Sequence, residues 1–296
     1  MKQYEVKYVE LSDGEKIAYR QCGSGKQNLV LIHGNMSSSV HMQPLMEKLE
    51  PYFTIYAPDM RGFGDSSYCK PFDSLEEVGN EIEEFLEIKS VHDPILLGWS
   101  TAGGVIMEMA AKQNADIKSI ILLSSVGIKG YPLLRKGPDF QPIEGDYLLE
   151  RDEIAADPIQ VKPALDAYAQ NDPEYFRTIW NLVIYTNGQP AEEDYKLYLD
   201  AILKERCLVD VDYSLVHFNI SDEDTPVQKA SGHGRLIKCP ITIIHGEADM
   251  VVPVENAREA KNFFGDQAEL HILKGLSHSI ITDDVDALAE IIKTAK

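Results

Sequence analysis

Six largely apolar runs recur along the chain: LVLIHG, FTIYAPD, PILLGWS, IKSIILLSSV, ITIIHGEAD and AELHILKG. Apolar runs that do not alternate with polar residues are typical of strands buried on both faces of a parallel sheet. Segments with helical spacing lie between them, for example Leu75, Val78, Ile82 and Phe85. Strands that alternate with helices predict βαβ units with right-handed crossovers, and therefore an α/β fold.

Two further strands are predicted before the first of these runs. Residues 4–11 alternate weakly, SDGE at 12–15 is a turn, and residues 16–21 return as the second strand of a hairpin. The count predicts a mostly parallel, eight-stranded sheet flanked by helices.

The alternation of strands and helices stops after Val126 and resumes at Ile241. The residues between carry helical patterns, such as PALDAYAQ and EYFRTIWNLVIY, together with several prolines. We therefore predict one core, residues 1–127 and 239–296, with a helical insertion, residues 128–238, after the sixth strand. The helices of this insertion need the core to bury their apolar faces.

Composition narrows the range of partners. The 296 residues include 28 Lys and Arg against 48 Asp and Glu, which gives a net charge of −20. This charge disfavours nucleic acid and anionic membranes as partners. The N-terminus lacks an apolar signal region, and no run of eighteen apolar residues predicts a membrane span. The four cysteines are scattered, without metal-ligand spacing, which favours reduced thiols and a cytoplasmic location.

The stretch GWSTAGG, residues 98–104, follows a predicted buried strand and precedes a predicted helix. A serine nucleophile on a strand-to-helix turn usually occurs as G-x-S-x-G, and here Ala102 stands at the second glycine position. The strand and the helix pass close together at such a turn, so the residues that flank the serine must be small. Gly98 meets this demand, and Ala102 is larger than glycine by only one methyl group. We predict Ser100 as the nucleophile. The alternative is a serine that only caps the helix.

A nucleophilic serine needs a base and an acid that orients the base. On this architecture the acid follows the serine along the chain, and the histidine follows the acid. Asp249 follows the predicted strand in ITIIHGEAD, and His278 follows the last predicted strand, in AELHILKG. Glu247 is the nearest rival acid. His271 lies inside the last strand and His245 precedes the acid, so both positions favour structural roles.

Two backbone N–H groups are expected to hold the oxyanion. One belongs to Thr101, directly after the nucleophile. The other belongs to Asn35 in the loop HGNMSSS, with its neighbour Met36 as the alternative. Met36 and Trp99 are also candidates for the substrate pocket, although Trp99 fits the core equally well.

The segments HGNMSSS, PDMRGFGDS, GWSTAGG, HGEADMVVP and GLSHS together resemble those of α/β-hydrolase fold serine hydrolases. The resemblance extends over nearly the whole chain. It implies the α/β-hydrolase fold, the triad Ser100, Asp249 and His278, oxyanion donors at Asn35 and Thr101, and a cap formed by the insertion. It also implies that PDMRGFGDS is a structural loop. SVGIKGYPL and HFNISDED are similar to segments of bacterial intracellular hydrolases of short-chain polyhydroxyalkanoates and 3-hydroxybutyrate oligomers.

The expected activity is hydrolysis of small-molecule esters, uncharged or weakly charged, through an acyl-enzyme and without a metal or cofactor. Oligomers of 3-hydroxyalkanoates are candidate substrates. Three alternatives share the fold. They are a C–C bond hydrolase acting on diketones, a cofactor-free perhydrolase, and a regulatory protein that binds a small ligand and turns it over slowly.

Overall fold

The computed structural model describes residues 1–112 and 116–295. Its strands are β1 (Lys7–Glu10), β2 (Lys16–Cys22), β3 (Gln27–Ile32), β4 (Phe53–Pro58), β5 (Ile95–Trp99), β6 (Ser119–Leu123), β7 (Leu134–Lys136), β8 (Pro142–Tyr147), β9 (Ile241–Gly246) and β10 (Ala268–Leu273). Eight of them form one sheet in the order β1-β2-β4-β3-β5-β6-β9-β10. Only the pairs β1–β2 and β2–β4 of this sheet are antiparallel. The predicted α/β fold with a mostly parallel, eight-stranded sheet is confirmed.

The helices are α1 (Ser39–Leu49), α2 (Leu75–Ile88), α3 (Thr101–Ala111), α4 (Arg151–Ala156), α5 (Lys162–Gln170), α6 (Pro173–Val183), α7 (Glu192–Ile202), α8 (Leu208–Val216), α9 (Val254–Phe264), α10 (Ile280–Asp283) and α11 (Val285–Thr294). Two 3₁₀ turns, His233–Leu236 and Gly265–Gln267, complete the helical elements of the described residues. Across those residues, no helix is both long enough and apolar enough to span a bilayer.

Hydrophobic clusters cover both faces of the sheet. Val30 and Ile32 of β3 pack in one cluster with the buried side chains of α2 and α3. Leu29 and Leu31 pack in the other cluster, with those of α1 and α11. Successive side chains of a strand point to opposite faces, so a strand covered on both sides must be apolar throughout. This is the physical reason for the continuous apolar runs in the sequence.

The insertion after β6 contains helices α4–α8 and a separate antiparallel hairpin of β7 and β8. The sequence pattern gave no sign of this hairpin, because its strands are short and mostly exposed and carry charged residues. Phe176, Trp180 and Tyr198 of the insertion bury their rings in the cluster that contains α1. The inserted helices therefore rest on the core through an apolar surface, above the carboxyl ends of the central strands.

Candidate active site

Ser100 lies on the turn between β5 and α3, with φ 57° and ψ −120°. A positive φ is rare for a residue other than glycine. Its N–H donates to the carbonyl of Leu123 at 3.0 Å, and its own carbonyl accepts from the N–H of Val126 at 3.1 Å. The Ser100 side chain makes no capping hydrogen bond to α3, unlike a serine that only caps a helix. Backbone strain held by surrounding bonds is typical of functional positions.

The residues around Ser100 are small because the strand and the helix nearly touch. A Cβ atom at Gly98 would lie 2.4 Å from the carbonyl oxygen of Ala102. A Cβ atom at Gly103 would lie 1.8 Å from the Oγ of Ser125. The methyl group of Ala102, in contrast, is accommodated in the buried core. The tightest steric demands therefore fall on positions 98 and 103, and alanine at 102 is compatible with the turn.

Asp249 follows β9 and His278 follows β10, so both reach the same edge of the sheet as Ser100. Oδ2 of Asp249 lies 2.8 Å from Nδ1 of His278. Its Oδ1 accepts the backbone N–H groups of Val251 at 2.8 Å and Val252 at 2.9 Å. Burial would raise the pKa of Asp249, but hydrogen bonds from His245 and His278 outweigh that effect and hold the pKa well below its usual range. The buried carboxyl group is thus ionised at neutral pH.

His245 is a second partner of the acid that the sequence analysis did not identify as such. Its Nε2 lies 3.2 Å from Oδ2 of Asp249 and 2.9 Å from the carbonyl oxygen of Val252. His245 stands at the end of β9, four residues before the acid. The direction of its side chain depends on how the loop after β9 folds back, and the spacing of residues alone does not give that.

Trp99 connects the strand that carries the serine with the loop that carries the histidine. Its indole Nε1 donates to the carbonyl oxygen of His278 at 3.1 Å, and the two rings lie 5.7 Å apart. Trp99 is buried, and its ring also packs edge-on against Trp180. Among residues 1–112 and 116–295, no hydrogen bond joins the Ser100 hydroxyl to the His278 imidazole. Such bonds often tighten only when substrate is bound.

The loop after β3 lies directly against Ser100. A Cβ atom at Gly34 would be 2.8 Å from the Cβ of Ser100. The N–H of Met36 is already used, since it donates to the Oδ1 of Asn35 at 3.0 Å. The N–H groups of Asn35 and Thr101 donate to no other group in the part of the chain that the structure describes. Thr101 also begins α3, where N–H groups lack partners within the helix and attract negative charge.

A buried network holds this loop in place. Nδ1 of His33 lies 2.8 Å from the carbonyl oxygen of Gly34, and Nε2 of His33 accepts a hydrogen bond from the N–H of Met60 at 3.0 Å. Burial lowers the pKa of His33, so its ring is neutral and able to accept. Asp59 accepts the N–H of Ser39 at 2.7 Å. The segment PDMRGFGDS thus supports the loop that carries Asn35.

Comparisons with known proteins identify the family from a sequence model and find relatives of similar sequence and a structure of similar fold. The sequence model of the family described as alpha/beta hydrolase fold matches residues 27–284. The chain is 24% identical to Lipase 1 of Psychrobacter immobilis over 290 residues, which cover 97% of this chain and 82% of the lipase. It is 24% identical to the pimeloyl-[acyl-carrier protein] methyl ester esterase of Vibrio atlanticus over 275 residues, 91% of this chain and 94% of that esterase. The structure of the esterase EaEST from Exiguobacterium antarcticum superposes with a TM-score of 0.75 at 17% identity, over 98% of both chains.

Proposed function

The chain belongs to the α/β-hydrolase fold family, and we propose that it hydrolyses carboxylic esters through an acyl-enzyme formed on Ser100. Under this proposal the protein is a serine ester hydrolase. The observation that carries the proposal is the meeting of three features at one edge of the sheet. They are the strained Ser100, the hydrogen-bonded pair Asp249 and His278, and two backbone N–H groups beside the serine that have no acceptor.

In the first half of the reaction, Oγ of Ser100 attacks the ester carbonyl carbon while Nε2 of His278 takes the hydroxyl proton. The carbonyl oxygen becomes an oxyanion and accepts hydrogen bonds from the N–H groups of Asn35 and Thr101, each worth about 3 kcal/mol. The intermediate then collapses. The bond to the alcohol oxygen breaks, and His278 returns its proton to the departing alcohol.

In the second half, a water molecule gives a proton to His278 and attacks the acyl-enzyme. The carboxylic acid leaves and Ser100 regains its proton. Asp249 has two tasks throughout. It keeps the proton of His278 on Nδ1, which leaves Nε2 free to accept, and its negative charge stabilises the imidazolium that forms. The low pKa of Asp249 supports both tasks. Every step uses side chains and backbone of the chain itself, and none requires a metal or cofactor.

The proposed substrates are small-molecule esters that are uncharged or weakly charged. The net charge of −20 disfavours strongly anionic substrates. Oligomers of 3-hydroxyalkanoates remain a prediction that rests on the resemblance of SVGIKGYPL and HFNISDED to segments of hydrolases that act on such oligomers. We also propose a cytoplasmic location, for which the support is that all four cysteines are free.

The test is hydrolysis of p-nitrophenyl butyrate by Ser100→Ala. We expect a loss of at least about 10³-fold in kcat, because the acyl-enzyme no longer forms. Ser119→Ala is the matched control, since Ser119 is a buried serine of the neighbouring strand β6 without a hydrogen-bond partner. Wild-type activity in Ser100→Ala would refute the proposal.

A panel of substrates separates the alternatives. Diketones offered beside esters distinguish C–C bond hydrolysis, which would use the same three residues. Hydrogen peroxide offered with a carboxylic acid distinguishes perhydrolase activity. A burst of one acylation per chain without further turnover would favour a ligand-binding regulatory protein over an enzyme.

A further inference from the structure

The loop that carries His278 is bound to helix α6 of the insertion. Ser277, directly before His278, is fully buried, and its hydroxyl donates to the carbonyl oxygen of Ile184 at 2.8 Å. Ile184 follows the last residue of α6, where the carbonyl groups of a helix lack partners within the helix. On the core side, the N–H of Ser277 donates to the carboxyl group of Asp283 at 2.6 Å. Ser277 therefore joins the end of α6 to the backbone beside the proposed base.

A second contact between α6 and this loop runs through two tryptophan rings. The ring of Trp180, in α6, lies 6.3 Å from the ring of Trp99 at an angle of 74°. The Trp99 ring lies 5.7 Å from the imidazole of His278, and its Nε1 donates to the carbonyl oxygen of His278 at 3.1 Å. Both tryptophans are buried in a close-packed core, so a shift of one ring displaces the next.

His278 makes few other bonds. Within residues 1–112 and 116–295, its hydrogen bonds are two: its carbonyl oxygen accepts from Trp99, and its imidazole is bonded to Asp249. The bond to Asp249 holds Nδ1 alone, so the position of Nε2 also depends on where the backbone of the loop lies. A general base must lie within hydrogen-bond reach of the proton that it takes, and a displacement of about 1 Å can cost about 10²-fold in rate.

We propose that α6 positions the general base His278, with Ser277 and Trp99 as positioning residues that act through it. This inference rests on the proposed ester hydrolysis and adds two residues to its machinery. Neither residue takes part in bond making or breaking. They hold Nε2 of His278 where it takes the proton of Ser100 and returns it to the departing alcohol.

Two esters of the same acid separate positioning from a merely structural role. The p-nitrophenolate ion is a stable anion that departs without a proton, whereas ethoxide needs the proton that His278 returns. A displaced His278 therefore slows acylation by ethyl butyrate more than acylation by p-nitrophenyl butyrate. The measured quantity is kcat/KM for the ethyl ester divided by kcat/KM for the p-nitrophenyl ester. Loss of folded protein lowers both values equally and leaves this ratio unchanged.

Two variants break the two contacts separately. Ser277→Ala removes the hydroxyl that binds the end of α6, and Trp99→Phe removes the indole N–H that binds the carbonyl oxygen of His278. In each variant we expect the ratio to fall by about fivefold or more relative to wild type. Ser277→Cys, with a weaker donor of similar size, serves if the alanine variant fails to fold, and it should also lower the ratio.

Thr54→Val is the matched control. The Thr54 hydroxyl donates to the carbonyl oxygen of Gly25 at 2.7 Å, so this variant also removes a hydroxyl that binds a backbone carbonyl group. Thr54 lies near the start of β4, at the edge of the sheet opposite to the site, and the variant should keep the wild-type ratio.

An unchanged ratio in both Ser277→Ala and Trp99→Phe, or an equal fall in Thr54→Val, would overturn the inference while leaving ester hydrolysis standing. A wild-type protein that hydrolyses neither ester in a Ser100-dependent way would instead overturn the proposed function, and the inference with it.

Discussion

Replacement of Asp249 by asparagine tests the electrostatic design of the site with almost no change in volume. Two backbone N–H groups, from Val251 and Val252, donate to one oxygen of the carboxyl group. The amide oxygen of an asparagine would take that place. The amide NH₂ group would then face Nδ1 of His278, which now lies 2.8 Å from an accepting oxygen.

The consequence is a change of tautomer. An NH₂ group donates, so His278 must accept at Nδ1 and carry its proton on Nε2. In that state Nε2 is unable to remove the proton of Ser100. The expected loss is about 10⁴-fold in kcat, equivalent to about 5 kcal/mol of transition-state stabilisation at 1.36 kcal/mol per tenfold.

The assay is steady-state hydrolysis of p-nitrophenyl butyrate by Asp249→Asn, with a thermal melt to verify folding. Glu247→Gln is the matched control, because Glu247 is the rival acid and its side chain is exposed. Its activity should stay within about twofold of wild type. Activity of Asp249→Asn within tenfold of wild type, or a comparable loss in Glu247→Gln, would refute the reasoning.

Three further predictions concern the turn, the second histidine and the cap. Gly103→Ala should lower stability by about 2 kcal/mol or more in urea unfolding, because the new methyl group would collide with the Oγ of Ser125. Ala102→Gly, a second variant on the same turn, should keep turnover within about twofold and lose about 1 to 2 kcal/mol of stability with its buried methyl group. Wild-type stability of Gly103→Ala would contradict the expected collision. His245→Leu should lower kcat by about tenfold, since the triad acid loses one donor, and an unchanged kcat would contradict a positioning role. Glu205 keeps its proton in the folded state up to about pH 8 but releases it near pH 4.3 when unfolded, so stability should fall by up to about 1.4 kcal/mol per unit as the pH rises between these values. Glu205→Gln should flatten that slope, and equal slopes in both proteins would contradict the assignment.

The core was predictable because burial on both faces of a sheet requires a recognisable pattern of apolar residues within each strand. Every residue of β5 is buried, which requires a continuous apolar run, and α2 buries one face, which requires apolar residues at helical spacing. The hairpin of β7 and β8 has no such apolar pattern, because exposed strand residues can be polar. It was therefore found only in the structure.

The residues of the candidate site divide in the same way. Ser100 directly follows β5, and Asp249 and His278 lie in the loops after β9 and β10. The parallel sheet brings these three positions to one edge, so their order along the chain is enough to nominate them. The approach of His245 to the acid depends on the path of a loop. The contact of the buried Glu205 with the Tyr168 hydroxyl depends on how the cap helices pack against one another. Neither contact is encoded in the spacing of nearby residues.

The most direct test of the central claim is covalent trapping of the nucleophile. The protein is treated with a fluorophosphonate, whose phosphorus bonds to an activated serine oxygen as fluoride leaves, and the modified residue is located by peptide mass spectrometry. We expect one adduct per chain, on Ser100, formed in step with the loss of esterase activity and absent from Ser100→Ala. Complete inactivation with the adduct on another residue, or full activity with Ser100 modified, would contradict this expectation.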